Sequence, residues 1–533
     1  MAPSVIVVVP LVGHSLLGDD RRRLYGAAND VGSNPLRGIG HSLDTVGPFL
    51  DRGNFRPLGR AVENIERAAV FDISEATGLA PHAVNGVIRL VLIAMLAFGS
   101  FGLVSAVLRS AGIGRASSNP AVVLYPMILA ATLVAGDHYS PITSYNLILI
   151  GSVILMLATA LWVARDKDMV QRRLAWHEPV AMLGLGAVLA STYDLIYLAP
   201  LLAAAFAVAR AAAGSSARQL FRMACIRRWA YLSAGFLAVF IPARIEIAKR
   251  CSGSSCYVAS DAELTTEVFG RTADRLLTGA SPAGWRYTAG LVDRAGINFG
   301  LADLARNVLL IALLAAVAYV TVTVGRNARG TLSVTSQDSV SWSRAAMSLG
   351  ALGAITALLP ALLVGLSRRT QEVRPQVGEA WRETIMVQVG WSLMATAALV
   401  CVFGIARRPG SARLAAVVVT AMLGATMALT LLANARLTQV DRITPLHAIT
   451  SEMATAAIHF DPTEGGNARR CRLIDDYTAI LPNPRQWVSG PNVWSELDEL
   501  MLSVQGIPFC DPVLHGGNRP ANPEIEDASQ PRR

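Results

Sequence analysis

Runs of about twenty apolar residues recur along the whole chain, each long enough to cross a hydrocarbon core of roughly 30 Å as a helix. That recurrence limits the fold before any motif is considered. Inside a bilayer the backbone must satisfy its own hydrogen bonds, so such runs read as spanning helices. The sequence therefore predicts an all-α polytopic membrane protein with about eleven transmembrane helices. They fall roughly at 4–18, 84–108, 119–136, 143–164, 179–192, 195–212, 230–248, 305–325, 345–366, 386–406 and 413–433. With 53% hydrophobic and 16% charged residues, the composition agrees. The formal charge of +9 does not signal nucleic acid, because the basic residues cluster in short connections between spans.

Those connections set the orientation. With the N-terminus cytoplasmic, the inside connections hold Arg115, then Arg165, Lys167, Arg172 and Arg173. Next come Arg218, Arg222, Arg227 and Arg228, then Arg326, Arg329 and Arg344, and finally Arg407, Arg408 and Arg413. The expected location is a multi-pass protein of the plasma membrane with an extracytoplasmic C-terminus. Arg21 to Arg23 run against the bias, but long loops report orientation poorly. Cysteine placement fits the same topology. Cys251 and Cys256 share one outside loop and Cys471 and Cys510 the outside tail, while Cys225 and Cys401 lie in or beside spans. Disulfides 251–256 and 471–510 are expected in that oxidising compartment, against chance placement.

The transmembrane domain covers 1–435, with a first extracytoplasmic loop at 19–83 and a second at 249–304. The first apolar segment, Ser4 to Leu17, is short and contains Pro10 and His14. It rises only ~23 Å as a helix, so either the bilayer thins around it or the native start lies upstream. Residues 24–54, rich in Gly, Asn and Pro, read as irregular. Residues 58–76 carry helical apolar spacing at Leu58, Val62, Ile65, Ala69 and Ile73, which suits a helix in the interface plane or one docked on the protein surface. Residues 179–212 read as two spans broken at Ser191-Thr192-Tyr193-Asp194. Residues 436–513 form a small extracytoplasmic domain that needs its disulfide, with Trp487 and Trp494 as core or sugar-stacking residues. The tail 514–533 is Pro-, Asn- and acid-rich and reads as disordered.

Asp19-Asp20 follows the first apolar segment directly. Charges are costly in hydrocarbon, so this pair must sit at the interface or in a water-filled cavity. Adjacent carboxylates there suit general-base chemistry on a lipid-linked substrate, although acidic residues also simply end helices at the water boundary. Arg244 and Glu246, near the outer end of the seventh span, are expected to pair with each other or to reach water. No metal-ligand spacing is evident, and no metal and no cofactor is expected.

Several stretches together resemble a known family. Asn54-Phe55-Arg56-Pro57-Leu58 precedes the interfacial helix, and Gly78-Leu79-Ala80-Pro81-His82-Ala83-Val84-Asn85 runs into the second span. Gly184 to Pro200 carries a Gly-rich span, a polar break and a Leu-Ala-Pro ending, and Asp137-His138-Tyr139-Ser140-Pro141 links the third and fourth spans. With the acidic pair after the first span, this order resembles GT-C integral-membrane glycosyltransferases, closest to the protein O-mannosyltransferase-like branch. The likeness covers roughly residues 1–212. It implies a sugar moved from a polyprenyl-phosphate donor, itself a substrate, to an extracytoplasmic cell-envelope glycan or protein. In that reading Asp19 or Asp20 is the general base, and Arg21, Arg22, Arg56 and Arg60 contact the donor phosphate. His41, His82, Asp137, His138 and Asp194 are supporting candidates. The chain departs from the family in Arg21-Arg22-Arg23 after the acidic pair, in Tyr193-Asp194 at the polar break, and in lacking a tetratricopeptide tail. The competing expectations are a lipid or solute transporter, against which only one broken segment and no repeat stand, and a non-catalytic scaffold of envelope assembly.

Overall fold

The computed structural model describes residues 1–16, 24–32, 34–113, 120–165, 175–214, 224–251, 262–296, 317, 338–405, 409–480 and 490–511. These residues are helical, with one isolated β-bridge between Ala262 and Ser367. Seven helices are long and apolar enough to cross a membrane, and three shorter apolar helices lie at Ala2–Gly13, Ala121–Thr132 and His177–Ala190. These ten coincide with ten of the expected spans. The remaining one, 305–325, lies outside the described residues apart from residue 317.

The first segment is broken as its proline demands. Helix α1 (Ala2–Ile6) gives way to a 3-10 turn at Val9–Gly13 that contains Pro10. Proline has no N–H to donate and disfavours a continued α-helix, so carbonyls of this segment are left for other partners. Residues 24–54 correct the expectation of irregular chain. They form α2 (Leu24–Val31), α3 (Pro35–Asp44) and α4 (Val46–Asp51). The Gly, Asn and Pro that suggested loop act as punctuation: the Asn34 side chain caps α3 by accepting from Leu36 N–H at 3.0 Å, with Pro35 at the first helical position.

Helix α5 (Pro57–Thr77) buries its charged side. Arg60, Glu63, Asn64, Glu66 and Arg67 are buried, whereas Leu58, Val62, Ile65 and Ala69 are half-buried and Ile73 is exposed. The apolar stripe is thus partly covered by the protein, and only its last member, Ile73, is exposed. The apolar helices follow as α6 (Pro81–Ser110), α7 (Pro120–Thr132), α8 (Asn146–Val163), α9 (His177–Ala190), α10 (Ala199–Ala213) and α11 (Ala224–Arg250). Between α9 and α10 the chain breaks at 191–193 and makes a 3-10 turn, Asp194–Leu198, as the polar run predicts. The second loop contributes α12 (Glu267–Thr278) and α13 (Ser281–Arg294). Then come α14 (Asp338–Gly365), the short α15 (Arg368–Val373), α16 (Thr384–Ile405) and α17 (Pro409–Ile443).

The expected boundary at 436 falls inside α17, and the C-terminal helices are α18 (Pro445–Ile458), α19 (Glu464–Ile480) and α20 (Gly490–Gln505). They do not make a core alone. Leu24 and Phe71 of the first loop join Met453, Leu473, Leu497 and Phe509 in one buried cluster. Cys471 and Cys510 are bonded, while Cys225 and Cys401 are free. Cys256, the expected partner of Cys251, lies outside the described residues, as do Trp487 and the Trp494 side chain.

Candidate functional site

Two polar centres stand in the protein, the first of them beside α5. At its N-terminal end, Arg56 lies with its guanidinium 5.5 Å from the Tyr193 ring centroid, and Arg382 lies 5.8 Å from the same ring. Gly59 allows this approach. Leu58 N–H donates to Ser191 O at 3.0 Å, and a Cβ on Gly59 would overlap the Thr192 carbonyl oxygen. Beside Tyr193 opens a cavity of about 180 Å³ between the 3-10 turn Asp194–Leu198, α11, the end of α14 and the segment joining α14 to α16. Arg244, Arg369 and Arg382 line it against one carboxylate, Asp194, with Tyr193, Tyr197 and Trp381 as aromatic walls. Arg244 rests on Tyr197 and Phe240 at 5.7 and 5.5 Å, and Arg369 and Arg382 on Trp381 at 5.6 and 5.7 Å. Aromatic stacking orients a guanidinium while leaving its edge to bind an anion. Burial pushes the Tyr193 phenol up to about 12, so it stays a neutral hydrogen-bond donor.

The wall segment is itself anchored. Arg275 of α12 and Glu383 are buried and 3.5 Å apart. Arg275 also donates to Glu379 O, Gln376 O and Thr278 Oγ1 at 2.9, 3.0 and 3.0 Å. The expected Arg244–Glu246 pair is not made. Glu246 instead bonds Arg250 at 2.6 Å, one helical turn on, because residues two apart on a helix do not face each other.

The second centre gathers histidines from distant segments. His14 Nε2 lies 3.1 Å from His138 Nδ1 and 3.9 Å from Asp441 Oδ1. His447 Nδ1 approaches Asp441 Oδ1 at 2.5 Å, and the His138 and His447 rings are 5.6 Å apart. One face of α17 positions the group. Asn434, Thr438 and Asp441 follow helical spacing and meet the broken first segment. Asn434 Nδ2 donates to Val7 O and Leu133 O at 2.8 and 3.0 Å, and its Oδ1 accepts from Ala135 N–H at 2.9 Å. Thr438 donates to Pro10 O at 3.0 Å, and Asp441 Oδ2 accepts from Ser15 N–H at 2.8 Å. Arg89 of α6 is fully buried, donating to Leu11 O and, at 2.9 Å, to Thr143 O. Asp137 is buried next to His138 and accepts its N–H at 2.7 Å. Burial raises Asp137 to about 6 and lowers His138 to about 4.

The residues suggested by sequence therefore separate. Asp194 lines the arginine cavity, and Arg56 stands beside it against Tyr193 without lining it. Asp137 and His138 belong to the histidine centre. His82 lines a small cleft there with Ser15, Leu16, Leu24 and Ser451. Arg60 is committed elsewhere: it lies 3.5 Å over the Phe49 ring and does not line the cavity. His41 faces Asp30 at 3.7 Å within the first loop. Asp19, Asp20, Arg21 and Arg22 lie outside the described residues. The sequence reading missed His14 as a site residue, and also Asp441 and His447. An acid in an apolar helix, seven residues after Asn434 and three after Thr438, was the available signal. No protein-family model, curated protein or solved structure matches this chain.

Proposed function

We propose that the protein is a membrane glycosyltransferase of GT-C-like arrangement, built on eleven spans with a cytoplasmic N-terminus. It moves a sugar from a polyprenyl-phosphate donor to an extracytoplasmic envelope glycan or protein. The observation that carries this reading is the arginine cavity at Tyr193 and Asp194. Three lining guanidinium groups against one carboxylate, with aromatic walls, form a place for a phosphate whose lipid chain stays in the bilayer. Such cations stabilise the charge that builds on a departing lipid phosphate. A carboxylate must accept the proton of the attacking hydroxyl. The cavity itself supplies Asp194, and the family resemblance supplies Asp19 or Asp20.

The test is sugar transfer in membranes from a labelled polyprenyl-phosphate donor. Arg382→Ala is expected to raise the donor KM, because it removes a phosphate partner. The base is the carboxylate whose Asn variant lowers kcat by roughly 10²–10⁴-fold, Asp194 or the Asp19/Asp20 pair. Wild-type protein inactive with every such donor would refute the transferase reading in favour of a scaffold. Movement of the donor across the bilayer without transfer would refute it in favour of a transporter.

A further inference from the structure

We infer that His14, His138 and Asp441 form a binding site for a divalent transition ion of the zinc type, independent of the transferase reading above. The three ligand atoms, His14 Nε2, His138 Nδ1 and Asp441 Oδ1, lie within 4.8 Å of one another. Zinc bonds of about 2.0–2.1 Å place two tetrahedral ligands about 3.3 Å apart, close to the 3.1 Å between the two imidazole nitrogens. Asp441 Oδ1, 3.9 Å from His14 Nε2, needs a small inward shift to complete the set.

The surrounding bonds aim lone pairs at the centre. His14 Nδ1–H donates to Ser15 O at 3.1 Å, which leaves Nε2 as the unprotonated nitrogen facing His138 and Asp441. A ligating histidine is usually held in this way, through its other nitrogen, by a carbonyl or carboxylate. Asp441 spends Oδ2 on Ser15 N–H and keeps Oδ1 for the centre. That oxygen is buried and makes no well-aligned hydrogen bond, although His447 Nδ1 stands 2.5 Å away. His447 thus orients the carboxylate from outside the ligand set.

The site is preformed by buried polar groups around it. Asn434 and Arg89 hold the carbonyls of Val7, Leu11, Leu133 and Thr143, which frame His14 and His138 on either side. Arg89 carries a positive charge near the centre, and the Asp441 carboxylate offsets it. His14 and Asp441 are fully buried, whereas His138 is partly exposed, so an ion there is reached from the His138 side. Three protein ligands leave a fourth position for water or a substrate oxygen.

The test uses the full-length protein in detergent, free of any affinity tag, stripped with chelator and titrated with Zn2+ alone. One Zn2+ per chain is expected, with binding weakened at least ~100-fold in His138→Ala and in Asp441→Asn. His447→Ala should weaken it about 10–100-fold, as loss of an outer partner does. His41→Ala should bind as wild type. Zn2+ should also protect His138 of the wild-type protein from acylation by diethyl pyrocarbonate, read by mass spectrometry; this arm needs no variant to fold. Absence of saturable Zn2+ binding, binding unchanged in both ligand variants, or unprotected His138 would overturn the site and leave a hydrogen-bonded histidine pair.

Discussion

Asn434 donates its side-chain amide to the carbonyl of Val7 at 2.8 Å, across 427 positions of sequence. The same side chain bonds Leu133 O and Ala135 N–H. Three segments far apart in sequence are thereby fixed in one register. Asn434→Leu leaves a donor and two acceptors buried without partners, at about 1–3 kcal/mol each. A marked fall in thermal unfolding temperature in detergent is expected, and an unchanged temperature would deny the amide this role.

Arg275 and Glu383 give a second stability prediction. Removing one member of a buried pair strands the other charge and costs about 3–5 kcal/mol. Arg275→Ala also frees the carbonyls of Gln376 and Glu379. The segment bearing Trp381 and Arg382 should then loosen, seen as faster amide exchange over 374–384. Arg275→Met combined with Glu383→Leu should recover much of the lost stability, because no lone charge is left behind.

Gly59→Ala separates position from charge at the arginine cavity. The added methyl meets the Thr192 carbonyl, so α5 must move off the chain break. Strain of this kind costs about 1–3 kcal/mol. Arg56 would leave Tyr193 although every arginine is still present. Donor binding should weaken as it does in Arg56→Ala, and wild-type binding in Gly59→Ala would show that the approach is unimportant.

Replacing Cys471 and Cys510 by Ser opens a loop with a sequence separation of 39, worth about 3–4 kcal/mol in the loop-entropy account. Because Leu24 and Tyr25 of α2 share a core with Leu473 and Tyr477, the effect should reach the first loop. Amide exchange over 24–31 is expected to quicken along with 464–480. Faster exchange in the C-terminal helices alone would show the two parts to be uncoupled.

The spanning helices were legible because hydrocarbon imposes length and polarity on each one separately. The break at Tyr193-Asp194 was legible for the same reason, since polar residues interrupt an apolar run. The first-loop helices were not: Asn34 and Pro35 look like loop residues and instead begin a helix. The histidine centre was illegible by spacing, because His14, His138 and Asp441 are brought together by tertiary packing across more than one hundred positions each. Taken singly, each looks like an ordinary helix-end or core residue. Arg60 stands apart from the arginine cavity because its guanidinium stacks over the Phe49 ring.

The core shared by α2, α5 and the C-terminal helices sets the timing of biogenesis. Ribosomes release α2 roughly 400 residues before α18, a delay of about 20–80 s at ordinary elongation rates. During that interval Leu24, Tyr25 and Phe71 have one another but lack Met453, Leu473, Leu497 and Phe509. A chain that stops before α18 would carry its apolar helices with that core left open. The C-terminal helices thus complete a core that the first loop begins, and quality-control proteases would meet truncated chains first at α2 and α5.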